Sequence, residues 1–254
     1  MDNKLSVVII TFNEEKNIGR CIDSVLDVAD EIVIMDSFST DRTEEICRSK
    51  GVRFFQNKWE GYSEQKNYAN SLAAHDWIFS LDADEALSDE LQKSILEAKR
   101  SAYRPINRIC RITNYCGKWI HHSGWYPDVK VRFFDRRQNH WEGLIHERLN
   151  VGEESRIPVF KGDCYHYSYY TIEGHWKQSK HFSALVARDL FRRNKKPYLL
   201  KQIFSPVFKF IRMYLFRLGF LDGSAGFIIA RISAYAVYYK YATLRQLYQA
   251  NEEQ

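Results

Sequence analysis

Three polar clusters, each directly behind an apolar run, hold the residues best suited to chemistry. They are Thr11-Phe12-Asn13-Glu14, Asp36-Ser37-Phe38-Ser39 and Asp82-Ala83-Asp84-Glu85. Two carboxylates one residue apart, Asp82 and Asp84, can divide their tasks: one faces a ligand hydroxyl, the other a hard divalent cation such as Mg²⁺ or Mn²⁺. The bland reading of the same pair is a solvated turn that caps the next helix. A carboxylate at Asp36 can accept the imide N–H of a uracil ring, or close an Asx-turn before a helix. Other chemistries lack their signatures. There is no GxGxxG behind the first apolar run, no GxxxxGK[ST] and no GxSxG.

The elements that must position these clusters alternate. Continuous apolar runs at Leu5–Ile10, Glu31–Met35, Val52–Phe55 and Trp77–Leu81 predict buried parallel strands. Helices are expected at Glu14–Asp27, Asp41–Lys50, Tyr62–Ala74 and Asp89–Arg100, with Ser88 capping the last. Four strand–helix repeats in the first 100 residues predict an α/β domain with a parallel sheet covered on both faces. In such sheets ligands bind at the carboxyl ends of the strands, where the three polar clusters fall. Beyond residue 105, Ile109–Tyr115 and Val129–Phe134 alternate apolar and polar, as antiparallel or edge strands do. From Tyr170 the chain reads as helical, with segments near 171–194, 200–219 and 224–249. The expected organisation is a catalytic domain over 1–169, with halves of about 1–104 and 105–169, and a helical region over 170–254.

Composition narrows the class. The chain has 254 residues, 45% hydrophobic and 15% aromatic, which excludes a disordered protein. Five Cys without a CxxC spacing exclude a disulfide framework or a zinc ribbon and favour a reducing compartment. The N-terminal apolar run is too short for a signal peptide. Asp222 and Arg231 interrupt the longest apolar stretch, Leu218–Tyr239, so no transmembrane helix is expected. Charge is unevenly spread: residues 1–155 carry 21 Lys or Arg against 26 Asp or Glu, and residues 156–254 carry 16 against 6. A basic, aromatic-rich C-terminal third suits an anionic membrane surface better than nucleic acid; a solvated helix surface is the plain alternative.

Taken in order, LSVVIITFNE (5–14), IVIMDSFSTDRT (32–43) and IFSLDADE (78–85) resemble family 2 glycosyltransferases of the GT-A fold. The DSFSTDRT variant, Gln65-Lys66-Asn67, WEGLIHE (141–147) and GFLDGSAG (219–226) resemble the lipopolysaccharide-core branch of that family. Together these landmarks span about residues 5–230. The resemblance implies a mostly parallel, Rossmann-like sheet flanked by helices. It also implies inverting transfer from a UDP-sugar, with UDP-glucose favoured, assisted by divalent Mn²⁺ or Mg²⁺.

Carried over by position, Thr11, Asn13 and Glu14 match the first nucleotide-contacting loop and Asp36 the base-reading position. Asp82 matches the ribose-side carboxylate and Asp84 the metal ligand. Lys66 and Asn67 would face the nucleotide or donor sugar, or simply be polar helix surface. Glu147 is the expected general base, taking the acceptor hydroxyl's proton as its oxygen attacks the sugar; Glu142 and Asp135 are its rivals. His166 is either a further metal ligand or an aromatic-packed histidine. Arg132 is expected against the diphosphate. The other histidines, His175 among them, lack ligand spacing.

The implied acceptor is a lipopolysaccharide-core or lipid-linked glycan. The implied location is cytoplasmic, peripheral on the inner membrane, with a homo-oligomer possible and no nucleic-acid partner. Rival functions are a metal-dependent nucleotidyl- or phosphotransferase and an inactive nucleotide-sugar-binding protein that docks on membranes.

Overall fold

A computed structural model describes residues 4–100, 106–143, 147–153 and 156–252. The chain divides into two compact units. The first comprises residues 1–112 and 128–167, the second residues 113–127 and 168–254. The second unit therefore takes a short segment from the middle of the chain as well as the C-terminal region.

In the first unit, strands β1 (Leu5–Thr11), β2 (Glu31–Asp36), β3 (Arg53–Gln56) and β4 (Trp77–Asp82) pair in parallel in the order β3-β2-β1-β4. Helices α1 (Ile18–Asp23), α2 (Thr43–Ser49), α3 (Tyr62–Ser71) and α4 (Asp89–Arg100) intervene, the last following the short strand β5 (Glu85–Leu87). Side chains alternate across a strand. Leu5, Val7 and Ile9 thus enter one core with Ile18, Ile22, Cys47 and Leu91, while Val8 and Ile10 enter another with Ala69 and Ala73. Helices α1, α2 and α4 cover one face and α3 the other, which is why these strands read as unbroken apolar runs.

Strands β6 (Ile106–Tyr115), β7 (Lys118–Ile120), β8 (Asp128–Asp135) and β11 (Val159–Tyr169) extend the sheet. Its order is β3-β2-β1-β4-β8-β6-β11-β5, with β7 on β6. β8 runs antiparallel to both β4 and β6. The pair β9 (Trp141–Glu142) and β10 (Arg148–Leu149) forms a separate antiparallel ribbon. This mixed sheet with flanking helices meets the α/β expectation.

Helix α1 is much shorter than the expected Glu14–Asp27. Asn13 has φ 54°, and Glu14–Asn17 form a turn that keeps the loop polar and open. Val25 and Val28 are buried from irregular backbone, so their apolar spacing mimicked a longer helix.

The second unit contains α5 (Ile172–Arg192), α6 (Leu199–Ile211), a π-helical turn (Arg212–Phe216), a 3₁₀ turn (Gly219–Asp222) and α7 (Gly223–Glu252). Tyr115, Ile120, Met213, Ile229 and Ala230 form its core. A Cβ on Gly226 would fall on the Gly219 carbonyl oxygen, so the start of α7 is pressed against the preceding turn. That contact accounts for the last glycine of GFLDGSAG. Buried Asp222 accepts from the backbone N–H groups of His121 and His122 and pairs with the His122 Nδ1 at 3.0 Å. Against the sequence expectation, the stretch Gly219–Asn251 is long and apolar enough to cross a membrane by length and composition, with a third of its most apolar window buried.

Candidate active site

The loops behind β1 and β2 are laced together. Asn13 receives the Thr40 amide at 2.8 Å and donates its own amide to Ser39 Oγ at 2.8 Å. The Glu14 amide donates to Thr43 Oγ1 at 2.8 Å. The DSFSTDRT segment therefore supplies the hydroxyls that shape the first loop. Asp36, fully buried, accepts from the Ser39 amide and hydroxyl and from Gln56 Nε2 at 3.1 Å. Its carboxylate builds the loop, as the Asx-turn reading has it, rather than presenting a free acceptor. Thr11 is buried behind it.

Behind β4 lies a cluster of charges in which Lys66, Glu85 and Arg132 are buried and Asp82, Asp128 and Glu147 are partly exposed. Asp82 Oδ2 is 2.6 Å from an Arg132 guanidinium nitrogen, which also lies 3.2 Å from Glu85 Oε1. Arg111 bridges Glu85 at 2.8 Å and Asp128 at 2.6 Å. Lys66, 1% exposed, places Nζ 3.0 Å from Asp82 Oδ1 and 3.1 Å from Glu147 Oε1. The first of these contacts is an ion pair without hydrogen-bond alignment. Burial opposes the charge on Asp82, but Arg132, Lys66 and Arg111 overcome it and hold the carboxyl far below the usual range. Glu85 is likewise lowered: burial raises it and the two arginines prevail.

Successive residues of a helix point about 100° apart, and α3 uses this. Gln65 faces the β2 loop, donating to Ser37 Oγ at 3.1 Å. Lys66 faces the carboxylates. Asn67 exchanges two hydrogen bonds with the Trp141 backbone, at 2.9 and 2.8 Å. With Ser63 Oγ donating to the Gly143 carbonyl at 2.7 Å, α3 holds the segment that leads toward Glu147. Leu144–His146 lie outside the described residues. The Trp141 ring sits 4.7 Å from the Lys66 ammonium, a cation–π contact.

The structure separates the three candidate bases. Asp135 is buried and bound to the Arg137 side chain and amide. Glu142 is 48% exposed and pairs with His140 at 3.0 Å. Glu147 shares Lys66 with Asp82.

Two expectations are corrected. Arg132, expected against a diphosphate, is 4% exposed and lies behind Asp82, shared between two carboxylates. Asn67 contacts protein backbone, so it positions β9 instead of facing a ligand. Conversely, sequence reasoning gives Glu85 no role within its cluster and passes over Arg111 and Tyr62. Burial and the neighbouring Asp82, Glu147 and Asp84 raise the Tyr62 phenol, which places its side chain in the same carboxylate field.

Asp84 has a different partner from Asp82. Its Oδ2 lies 3.2 Å from His166 Nε2, and its carbonyl accepts the Tyr167 amide at 2.8 Å. Burial disfavours a charged His166, yet Asp84 prevails and raises its pKa. Burial raises Glu14, with Asp84 adding to the effect. No three His, Cys, Asp or Glu side chains among the described residues form a complete metal cage. Asp84 and His166 do stand side by side, a carboxylate and an imidazole of the donor types that suit a divalent cation.

Comparison with known proteins gives the family. The Glycosyl transferase family 2 profile matches residues 6–149. An uncharacterized glycosyltransferase of Rickettsia typhi is 30% identical over 255 residues, covering 96% of this chain and 87% of that protein. The lipopolysaccharide core biosynthesis glycosyltransferase LpsC of Rhizobium meliloti is 30% identical over 263 residues, covering 94% of this chain and 93% of that protein. Among solved structures, S. aureus TarS 1–349 in complex with UDP-GlcNAc is 16% identical with a TM-score of 0.46, covering 98% of this chain and 92% of that one.

Proposed function

This chain belongs to glycosyltransferase family 2, and we propose that it transfers a hexose from a UDP-sugar to a hydroxyl of a lipopolysaccharide-core or related cell-envelope glycan, inverting the anomeric centre. UDP-glucose is the proposed donor. One observation carries the reading: a single buried ammonium, Lys66, joins the strand-end carboxylate Asp82 to Glu147, a carboxylate from a different part of the chain. Donor-binding and acceptor-activating groups are thus held in one rigid cluster.

In this reading the loops at Thr11–Glu14 and Asp36–Ser39 receive the uridine, and Asp82, fixed by Arg132 and Lys66, meets the ribose. Asp84 and His166 would hold the divalent cation, which when bound neutralises charge on the departing diphosphate. Lys66 fixes Glu147 Oε1, and Glu147 takes the acceptor hydroxyl's proton as the oxygen attacks C1 from the face opposite UDP. No covalent intermediate forms on the protein. The relationship to LpsC supports a core-glycan acceptor.

The test measures UDP release from UDP-glucose with and without a core-oligosaccharide acceptor. Glu147→Gln should lower kcat by about 10²- to 10⁴-fold while UDP still raises the melting temperature. Asp84→Ala should abolish the dependence of UDP binding on Mn²⁺. Full turnover in Glu147→Gln would remove it as the base. A nucleotide shift indifferent to uridine would remove the donor assignment.

A further inference from the structure

Helix α6 leaves one face without a partner. Leu199, Leu200, Ile203, Phe204, Val207 and Phe208 are each more than half exposed. Their spacing, in pairs four residues apart, lines them along one side of the helix. The opposite side packs within its own unit, Phe210 lying 5.7 Å from the Phe227 ring of α7. No residue of α6 is buried. The apolar surface continues through Leu215, Phe216 and Leu221, with Phe216 74% exposed. From residue 190 to residue 221 the chain has eight Lys or Arg and no Asp or Glu.

We propose that α6 and the turn after it lie in the interfacial plane of an anionic bilayer, apolar stripe inward, with the flanking cations on lipid phosphates. The charge decides the occupant. A second copy of this face would set this basic surface against itself, the acidic residues that flank it in the chain being Asp189, already paired with Arg193, and buried Asp222, whereas an anionic leaflet satisfies both the stripe and its cations. Nucleic acid would satisfy the cations and leave the Leu and Phe side chains in water. The mode is lying on the membrane, not spanning it. With 13 residues α6 is too short for the roughly 20 a span needs. The longer α7 is committed to its own unit through buried Ala225, Ile229, Ala230, Ile232 and Leu244. This inference is independent of the donor chemistry.

The test is flotation of the full chain with vesicles of phosphatidylcholine alone and of phosphatidylcholine and phosphatidylglycerol in equal parts. The protein should float with the anionic vesicles only, less so as salt rises, and alkaline carbonate should release it. Phe204→Glu with Phe208→Glu should reduce binding at least tenfold with the melting temperature unchanged. Lys195→Gln with Lys196→Gln, outside the helix, should reduce it about fivefold per charge removed. Equal binding to neutral vesicles, or none to either, would overturn the proposal. So would a carbonate-resistant fraction, or a dimer in solution that Phe204→Glu with Phe208→Glu dissociates.

Discussion

In the first unit partly exposed Asp82 and buried Glu85 stay ionised because Arg132 joins them, with Lys66 on Asp82 and Arg111 on Glu85; in the second, His175 stays neutral. Its ring packs against Tyr115, Trp125 and Tyr169, with Nδ1 3.0 Å from the Tyr115 hydroxyl. Burial pushes its pKa down to about 4. The first solution places fixed charges where a polar substrate can use them, but each charge depends on the others. The second gives dense aromatic packing without any ion, at the cost of a group that acid can charge.

Removing one member of the charge cluster should have the largest effect. Arg132→Met leaves buried Glu85 and partly exposed Asp82 short of a partner and should lower unfolding free energy by about 3–5 kcal/mol. Urea denaturation at neutral pH measures it. A loss under about 1 kcal/mol would mean the cluster is not held by pairing.

Acid should find the other unit first. His175 has a folded pKa below the ordinary 6.5, so the unfolded chain takes up the proton first. Stability should therefore fall as pH drops from 6.5 toward 4, by about 3 kcal/mol. His175→Phe should flatten that window, read from urea midpoints at successive pH values; an unchanged slope would place the titrating group elsewhere.

Smaller effects test positioning. Asn67→Ala loses both hydrogen bonds to Trp141 and should cost about 1–2 kcal/mol. Because that contact carries the Glu147 segment, kcat should fall more than nucleotide affinity. At the N-terminus of α5, Thr171 accepts the Gly174 amide at 2.9 Å. Thr171→Ala should cost about 1 kcal/mol by thermal melt, with no change in turnover.

The same contrast explains what the sequence could tell. Strands β1, β2 and β4 were legible because burial on both faces leaves an uninterrupted apolar run, and the polar residues behind them followed from the sheet's geometry. Lys66 and Glu147 were legible only through family landmarks. A lysine on a helix reads as solvated until the fold buries it at 1% exposure. Arg132 was misplaced because its role depends on register: β8 pairs antiparallel with β4 across some fifty residues of chain, and no local pattern encodes that pairing. Arg111 escaped for the same reason, its place being set by the pairing of β6 with β8. The apolar face of α6 was visible as composition, but its lack of a covering element is a property of the fold.

The path of the chain through residues 113–127 has a practical meaning. This excursion leaves the first unit after Ile112 and returns at Asp128, and its Tyr115 and Ile120 complete the core built by Met213, Ile229 and Ala230. The C-terminal helices are therefore not severable. A gene cut near residue 170 would strand those side chains in solvent, and the helices expressed alone would lack part of their interior. Grafting of the C-terminal helices must carry the excursion with them, so any exchange of modules between relatives would have to respect three breakpoints rather than one.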